Sequence, residues 1–417
     1  MKIIADFHVH SAYSRATSKE MHLRTMAQWA RLKGIHLLGT GDFTHPAYFE
    51  EIKTDLEETG QGFLKLKGDE GAAVHFILTA ETSHIYTQAG KGRRVHMMIF
   101  APTIRSVEKI NLHLDRIGNV KSDGRPIFGF SAKDLVKIIL DIDPECFVVP
   151  AHAWTPWFSV FGSHSGFDRL EECFEEETPH IYALETGLSS DPAMNWRWSA
   201  LDRLSLISNS DAHSPAKIGR EANIFDCSLS YKDIIQTIKE KDPKRFLATI
   251  EFFPEEGKYH FDGHRSCGIS YSPEQTREKG YLCPICGKNL VVGVMHRVEA
   301  LADRPEGYIP EGAVPALHLV PLEEILGEVY DVGVQSRRIR KEFLCLIERG
   351  GSEFRILMDL SEEELRSFMD DRLADGIMQV RRGLVQVKPG FDGVYGQVKI
   401  FRTDVPSIKP SPQLNLF

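Results

Sequence analysis

Short apolar segments that end in histidine or carboxylate residues recur through the first half of the chain. The first segment, KIIADFHVH, ends in His8 and His10, and a later one, LSLISNSDAH, ends in Asp211 and His213. Residues two apart on a strand point to the same side, so each pair presents both side chains to one face. Helical patterns separate these strands, which predicts an α/β fold with a parallel sheet or barrel and its chemistry at the carboxyl ends of the strands.

Four more residues of the same chemical types lie in the strands between those two segments: Glu81, His96, His152 and Glu185. Neutral imidazoles combined with carboxylates are the ligands of Zn²⁺, Mn²⁺ and Fe²⁺ sites. A lone histidine is more often an ordinary core or surface residue. An ordered set on successive strands instead predicts a multinuclear hydrolytic metal centre, in which paired ions activate water and hold the oxygens of a phosphate ester.

Changes in pattern along the chain predict four regions. They are an α/β phosphoesterase region at 1–250, a zinc-binding region at 251–330, a helical region at 331–402 and a proline-containing flexible tail at 403–417. In the first region, MHLRTMAQWARLKG predicts a helix that ends at Gly34. In the third, Ser361 and Glu364 form a capping-box signal for a helix whose apolar face reaches Leu373.

Cysteine spacing predicts a second, separate metal site. The pattern H-x-x-C followed by C-P-I-C-G supplies four ligands, His264, Cys267, Cys283 and Cys286. Short C-x-x-C turns let both thiolates reach one ion, and four protein ligands leave no open position, so this zinc is expected to be structural. His296 is an alternative fourth ligand, and a redox-active cysteine pair is the competing interpretation.

Charge and composition narrow the classes of partner. A net charge of −9 and a pI near 6.0 argue against general coating of nucleic acid. Local basic runs remain as candidate phosphate contacts at 91–94, 337–341 and 381–382. The chain has no apolar run long enough to span a membrane. With seven cysteines and a strand directly after Met1, we expect a cytoplasmic, nucleoid-associated protein.

From HVHSAYS to SDAH the motifs resemble the polymerase and histidinol phosphatase (PHP) family of metal-dependent phosphoesterases, over roughly the first 220 residues. This resemblance implies a PHP-type distorted (β/α)7 barrel that binds metal ions. The implied ligand positions are His8, His10, Glu81, His96, His152, Asp211 and His213. Glu81 would bridge two ions, one held by the HVH pair with Asp211 and the other by His96 and His152.

Two positions depart from the PHP pattern, since Arg15 and Phe43 replace residues that help to hold a third ion. We therefore expect two active-site ions (Zn, Mn or Mg), with Asp211 among the catalytic residues and His213 freed for substrate or water. Asp42 is expected to orient a ligand. Glu185 is expected to orient the attacking water or act as general base, or alternatively to accept hydrogen bonds behind the ligands.

The PHP motifs, the cysteine cluster, the helical region and the segment KPGFDGVYG together resemble the endonuclease Q family over nearly the whole chain. The resemblance implies cleavage of double- or single-stranded DNA on the 5′ side of hypoxanthine, uracil, xanthine and abasic sites. Such a base must be extruded, and the protein must detect a carbonyl where an amino group had been. Asn209 and Ser189 are the predicted base-reading donors, and support of the metal ligands is the alternative role for Asn209.

The last five residues resemble the QLxLF peptide by which bacterial proteins dock on the replication sliding clamp. The contact residues would be Gln413, Leu414, Leu416 and Phe417. The alternative is that the apolar side chains fold back onto the body.

Two other functions compete with DNA cleavage. One is a PHP phosphatase for a small phosphomonoester such as histidinol phosphate, which leaves the cysteine cluster and the tail unexplained. The other is a non-catalytic module that bridges DNA and the clamp, which the ligand set argues against.

Overall fold

The computed structural model describes residues 1–69, 71 and 73–401, which form seventeen strands and thirteen α-helices. The strands are β1 (Lys2–Asp6), β2 (Leu37–Gly39), β3 (Leu56–Glu58), β4 (Leu64–Leu66), β5 (His75–Gln88), β6 (Lys91–Ala101), β7 (Ile127–Phe128), β8 (Phe147–Pro150), β9 (Ala183–Glu185), β10 (Ser205–Ile207), β11 (Ala222–Asp226), β12 (Phe246–Glu251), β13 (Asp262–His264), β14 (Ile269–Tyr271), β15 (Ala316–His318), β16 (Gln386–Lys388) and β17 (Gln397–Lys399). The helices are α1 (Leu23–Lys33), α2 (Pro46–Asp55), α3 (Ile104–Ile117), α4 (Ala132–Ile142), α5 (Leu170–Phe174), α6 (Pro192–Asn195), α7 (Tyr231–Glu240), α8 (Pro273–Glu278), α9 (Val294–Leu301), α10 (Leu322–Tyr330), α11 (Arg337–Gly350), α12 (Glu362–Arg366) and α13 (Asp371–Arg381).

The fold is mixed α/β around a central eleven-stranded sheet, ordered β15-β12-β11-β1-β2-β5-β4-β3, with β6 and β7 paired to β5 and β8 paired to β6. The α/β class is confirmed, but the predicted parallel pairing holds for only part of the sheet, which is mixed. β1–β2, β2–β5 and β12–β15 are parallel, but β1–β11, β11–β12, β5–β6 and β6–β8 are antiparallel. β9 and β10 form a separate parallel pair.

The longest antiparallel pair is a hairpin. β5 and β6 are joined by only Ala89 and Gly90, whose φ angles of 51° and 74° suit the primed turns that connect tight hairpins. No helix fits into a two-residue connection, which is why the alternation of strands and helices fails here. In the register of the hairpin Ser83 lies opposite His96, so Glu81 and His96 are diagonal neighbours on adjacent strands.

Side chains from nine strands pack into one apolar cluster of the core. Its members include Ile3, Leu37, Ile77, Met98, Val149, Ala183, Ile207, Phe225 and Phe246. Several residues of the predicted metal centre come just after these strands: His8 and His10 follow β1, His152 follows β8 and Asp211 follows β10. The packed strands therefore fix the backbone from which those side chains project.

Two predicted helix features can be compared directly with the structure. The helix that was expected to end at Gly34 is confirmed as α1, with Gly34 at φ 91°. The capping box is confirmed too, since Ser361 and Glu364 each accept the backbone N–H of the other at the start of α12. The predicted continuation to Leu373 is wrong, because α12 ends at Arg366 and Asp370 caps a new helix, α13.

The glycine-rich segment after β16 packs tightly against residues 254–265. Backbone N–H groups of Gly390 and Gly396 donate to the carbonyls of Glu255 and Glu256. A Cβ atom at Gly396 would lie 2.0 Å from the carbonyl oxygen of Glu255, so only glycine permits this approach. No helix within the described ranges is both long and apolar enough to cross a membrane.

Candidate metal centres

Six of the predicted ligands converge in two groups of three. The groups are His8, His10 and Asp211, and Glu81, His96 and His152, with the ligand atoms of each group within 4.8 Å of one another. Five of the six are buried side chains, and Asp211 is half-buried. Residues from four distant stretches of the chain thus meet at one place.

Glu81 lies between the two groups. Its Oε1 is 2.7 Å from Nδ1 of His96 and 3.0 Å from Nε2 of His152. Its Oε2 is 3.3 Å from Nε2 of His10 and 3.5 Å from Nε2 of His8. One carboxylate oxygen therefore faces each group, which is the arrangement that a bridging ligand requires.

The chemistry of this site fits divalent cations. Nε2 of His8, Nε2 of His10 and Oδ1 of Asp211 are buried, and no residue in the described ranges completes a hydrogen bond to them. A buried polar atom without a partner costs about 1–3 kcal/mol, so three of them converging at one place call for a ligand. Imidazole nitrogen and carboxylate oxygen are donors that suit Zn²⁺ and Mn²⁺.

The charges in the centre are also those of a cation site. Burial opposes ionisation of Glu81, but the neighbouring His96 and Arg125 outweigh it and hold the pKa of Glu81 well below its usual value. Burial likewise opposes a charge on His8, but the carboxylate of Glu185, with Glu81, raises the pKa of His8 well above its usual value. A bound divalent ion would displace that proton, because a ligating imidazole is neutral.

Glu185 is fully buried behind the ligands. Its carboxylate accepts hydrogen bonds from Nδ1 of His8 at 3.0 Å, from the backbone N–H of His152 at 2.8 Å and from Nδ2 of Asn209 at 2.9 Å. Both oxygens are occupied in this way. The geometry supports the alternative role, orientation of the ligands, and disfavours the predicted role as general base because a base needs a free oxygen beside the attacking water.

Asn209 is fully buried as well, and its amide is engaged on both sides. Its Oδ1 accepts from the backbone N–H of Phe7 at 2.9 Å and from Nδ2 of Asn223 at 3.2 Å, while its Nδ2 donates to Glu185. The side chain is fully buried and its amide is held on both sides by these bonds, so the geometry favours the alternative role in support of the candidate metal ligands. Ser189 is half-buried in the loop after β9 and belongs to neither ligand group.

The positions that depart from the PHP pattern do not contribute ligands. Asp42 is saturated by hydrogen bonds from His10, Ser11 and Ser14, and it orients the ring of His10 through Nδ1 at 3.0 Å. Phe43 is buried in the core, and the side chain of Arg15 is 78% exposed and paired with Asp123. Within the described ranges these positions form no third group of ligands beside the other two.

His213 lies at the edge of the centre, outside both ligand groups. Its ring centroid is 4.5 Å from that of His10, and its Nδ1 donates to the backbone carbonyl of Asp211 at 2.8 Å. About a third of the side chain is exposed, at 32%. This placement leaves the far side of the imidazole accessible from solvent.

Arg125 belongs to the site although nothing in the sequence pattern singled it out. Its guanidinium donates to Oε2 of Glu81 at 2.9 Å and is partly exposed. The loop that carries it approaches so closely that a Cβ at Gly124 would lie 2.4 Å from Oδ2 of Asp42. The one available signal was an arginine directly after Asp-Gly in a loop, which is too common to identify a site.

Four of the eleven non-glycine residues with positive φ angles in the described ranges lie near the centre. Asp42, His152, Phe158 and Asp211 all have positive φ angles, of 45°, 29°, 62° and 47°. Such angles are uncommon for residues other than glycine and persist where the surrounding structure enforces them. At Asp211 and His152 the strained backbone carries the side chain of a candidate metal ligand.

The second predicted site also assembles. The ligand atoms of His264, Cys267, Cys283 and Cys286 lie within 4.8 Å of one another. Gly287, at φ 71°, returns the chain by donating its N–H to the carbonyl of Cys283. His296, the alternative ligand, lies outside the group and instead pairs through Nδ1 with Asp262 at 2.5 Å.

Two of the basic runs are less available for phosphate than their sequences suggest. Arg381 is buried and donates to the backbone carbonyls of Leu357 and Leu360, so its role is structural. The guanidinium of Arg340 packs over the ring of Trp29, 4.1 Å from its centroid. Both arginines stabilise the packing of the helical region, so the phosphate contacts predicted for these two runs would have to come from their exposed members, Arg337, Arg338, Lys341 and Arg382.

Sequence comparison finds relatives along the whole chain. The family model named MJ0043 C-terminal domain matches residues 321–384. The protein YqxK of Bacillus subtilis (strain 168) is 29% identical over 414 residues, which cover 95% of this chain and 99% of YqxK. Protein MJ0043 of Methanocaldococcus jannaschii is 29% identical over 255 residues, which cover 59% of this chain and 31% of that protein.

Structural comparison finds the same architecture in two solved structures. The lesion-specific endonuclease PfuEndoQ from Pyrococcus furiosus superposes with a TM-score of 0.85 and 30% identity, covering 96% of this chain and 95% of PfuEndoQ. Endonuclease Q in complex with a 27-mer duplex substrate with an abasic lesion at the active site superposes with a TM-score of 0.84 and 30% identity, covering 96% of both chains.

Proposed function

This chain belongs to the endonuclease Q family and is an endodeoxyribonuclease, and we propose that it starts DNA repair by nicking on the 5′ side of damaged nucleotides. The proposed lesions are hypoxanthine, uracil, xanthine and abasic sites, in double- or single-stranded DNA. The main support for this proposal is the pair of candidate ligand groups that meet at Glu81. The fold that holds them is shared with a lesion-specific endonuclease over 96% of the chain.

Different residues of the chain have different roles in the proposed reaction. The two groups that share Glu81 would hold two divalent ions, Zn, Mn or Mg, which supply an activated water and neutralise charge on the phosphate. Glu185 and Asp42 fix the rings of His8 and His10. Arg125 lies where its guanidinium can donate to a phosphate oxygen, since arginine binds phosphate through a planar fork of donors.

We also infer a finer architecture. The cluster to which nine strands contribute supports closure of the sheet, together with β9 and β10, into the distorted (β/α)7 barrel of PHP proteins. The proposed regions remain 1–250 for this barrel, 251–330 for zinc binding, 331–402 for the helical region and 403–417 for the tail. The four-residue group of His264 would hold one structural zinc, because four protein ligands close the coordination shell.

A substrate panel tests the function. Purified protein with Mn²⁺ or Mg²⁺ is incubated with labelled duplexes that carry one deoxyinosine, deoxyuridine, deoxyxanthosine or abasic site, or none. We expect a single nick 5′ of each lesion and no nick in the undamaged duplex. Hydrolysis of histidinol phosphate without any nicking would instead establish the competing phosphatase function.

Substitution of Asn209 distinguishes its two roles. Because its amide holds Glu185 and the backbone of Phe7, Asn209→Ala is expected to lower nicking at abasic sites and at deaminated bases equally. The expected loss is about 10- to 100-fold, the range found for groups that orient metal ligands. A loss confined to deaminated bases, measured in the same panel, would restore its predicted role as base reader.

We propose that the C-terminal tail docks on the sliding clamp. Gln413, Leu414, Leu416 and Phe417 lie outside the described residues, so the proposal depends on their sequence alone, an apolar motif suited to a hydrophobic groove. Deletion of residues 413–417 is expected to abolish binding to the purified clamp in a biosensor assay. Nicking of short duplexes should be unchanged, and clamp binding that survives the deletion would refute the docking proposal.

A further inference from the structure

The segment that carries Asp211 and His213 is short and strained. It runs from Ser210 to Gly219 and lies in the connection between β10 and β11. Asp211 and Gly219 have positive φ angles, of 47° and 74°. For a residue other than glycine such an angle persists only where the surrounding structure enforces it. The conformation that brings the carboxylate of Asp211 to 3.1 Å from Nε2 of His10 therefore needs support from outside the segment.

Asp6 contacts both ends of this segment. It is the last residue of β1, it lies two residues before His8, and its side chain is fully buried. Its Oδ1 accepts the backbone N–H of Ser210 at 3.1 Å, and its Oδ2 accepts the backbone N–H of Gly219 at 2.9 Å. One carboxylate, on the strand that leads to the HVH pair, therefore joins the beginning and the end of the segment.

The two bonds act where the position of the backbone matters most. Ser210 directly precedes Asp211, so its bond to Asp6 fixes the chain at the start of the strained turn. Gly219 is held where the chain leaves the segment, and it is packed from outside as well. A Cβ atom at Gly219 would lie 3.5 Å from Cε2 of Phe354, a residue of the helical region. The carboxylate of Asp6 and the helical region together confine this end of the segment.

The other contacts of the segment do not replace the two bonds to Asp6. The N–H of His10 donates to the carbonyl of Ala212 at 3.0 Å, which holds only the middle of the segment. The Nζ of Lys217 pairs with Glu324 at 3.0 Å, but this lysine side chain is 42% exposed. Within the described ranges, Asp6 is the one acceptor for either of the two N–H groups. A buried N–H without an acceptor is strongly disfavoured, so loss of the carboxylate would release both ends at once.

We propose that Asp6 is a positioning residue for the first ligand group. By holding Ser210 and Gly219 it keeps the carboxylate of Asp211 turned toward the imidazoles of the HVH pair. Both of its oxygens are occupied by the segment, so it acts on an ion only through Asp211. The inference rests on the proposed function, because the ion concerned is one of the two in the proposed active site. Groups that orient metal ligands change metal affinity by about 10- to 100-fold.

Calorimetric titration of the full-length protein with Mn²⁺ tests this role. Asp6→Asn keeps the shape but offers one acceptor oxygen instead of two, so we expect Mn²⁺ to bind about tenfold more weakly. Asp6→Ala removes both acceptors and should weaken binding by about 100-fold. Nicking of a deoxyinosine duplex should fall in parallel at low Mn²⁺ and recover at saturating Mn²⁺. A residue that only supported folding would lower the thermal stability without this recovery.

Two controls separate this anchor from other attachments. Asp233, in the first turn of α7, also accepts a backbone N–H, from Ser228 at 2.6 Å, but it lies outside both ligand groups. Asp233→Asn should therefore leave the affinity for Mn²⁺ unchanged. Lys217→Met removes the exposed attachment of the same segment, and exposed ion pairs contribute little, so the affinity should stay near that of wild type. A loss in Lys217→Met as large as that in Asp6→Asn would overturn the special role of Asp6.

A second variant keeps the test decisive if Asp6→Asn fails to fold. Gly219→Ala strains the positive φ angle at the other end of the same link, so Mn²⁺ binding should weaken although Asp6 is intact. Unchanged Mn²⁺ affinity in the folded variants, or a nicking deficit that saturating Mn²⁺ does not repair, would overturn the proposal. Wild-type protein that binds Mn²⁺ but nicks no duplex would instead refute the proposed function. The effect of Asp6 on Mn²⁺ affinity could still be measured in that case, so the two failures are distinguishable.

Discussion

Asp211→Ala is expected to abolish nicking of a lesion-bearing duplex while the protein stays folded. The carboxylate lies 3.1 Å from Nε2 of His10 and 3.7 Å from Nε2 of His8, so its loss removes one of three ligands from the first group. Loss of groups that only orient ligands costs about 10- to 100-fold, so loss of a ligand should exceed about 100-fold. Single-turnover rates with Mn²⁺ on a deoxyinosine duplex measure the effect.

The control for this substitution is Asp226→Ala. Asp226 is 56% exposed at the end of β11, where it pairs with the N-terminal amine of Met1, and its removal should leave the rate unchanged. Thermal unfolding of the Asp211 variant should match that of wild type with chelator present, since a half-buried ligand adds little packing. Nicking by the Asp211→Ala variant at a rate within about tenfold of wild type would mean that the first ligand group is not the active site.

The ligand positions could be predicted from the sequence because their evidence is local. His8 and His10 share a face by the period of a strand, and the cysteine spacing fixes a turn whatever surrounds it. Strand pairing could not be predicted in the same way. Ala89 and Gly90 lack the Asn-Gly signal of a tight hairpin, so the sequence did not indicate that β5 and β6 pair directly with each other.

The roles of buried polar residues also depend on tertiary structure. Asn209 has the right chemistry for reading a base, but its buried amide is bonded to Phe7, which follows β1, to Glu185 of β9 and to Asn223 of β11. Arg125 shows the reverse case, since sequence alone gives an arginine no context. It becomes a neighbour of Glu81 only after distant segments have packed around it.

Cys286→Ser is expected to prevent binding of the proposed structural zinc and to unfold the surrounding segment locally. Structural zinc contributes about 10–16 kcal/mol in small zinc-binding peptides, far more than the apolar contacts available here. The local strands β13 and β14 have three residues each, and of the four proposed ligands only Cys283 is buried. Zinc content by mass spectrometry should fall by one equivalent, and limited proteolysis should cut between residues 264 and 290.

Cys345→Ser provides the matched control, because Cys345 is a half-buried cysteine of α11 outside the four-residue group. That variant should keep its zinc and its resistance to protease. The six residues of the other centre come from the segment after β1, the β5–β6 hairpin and the loops after β8 and β10, so manganese binding there should survive in the Cys286 variant. Full zinc content in Cys286→Ser would show that these four residues do not hold an ion. Loss of manganese together with zinc in this variant would show that the two sites fold as one unit.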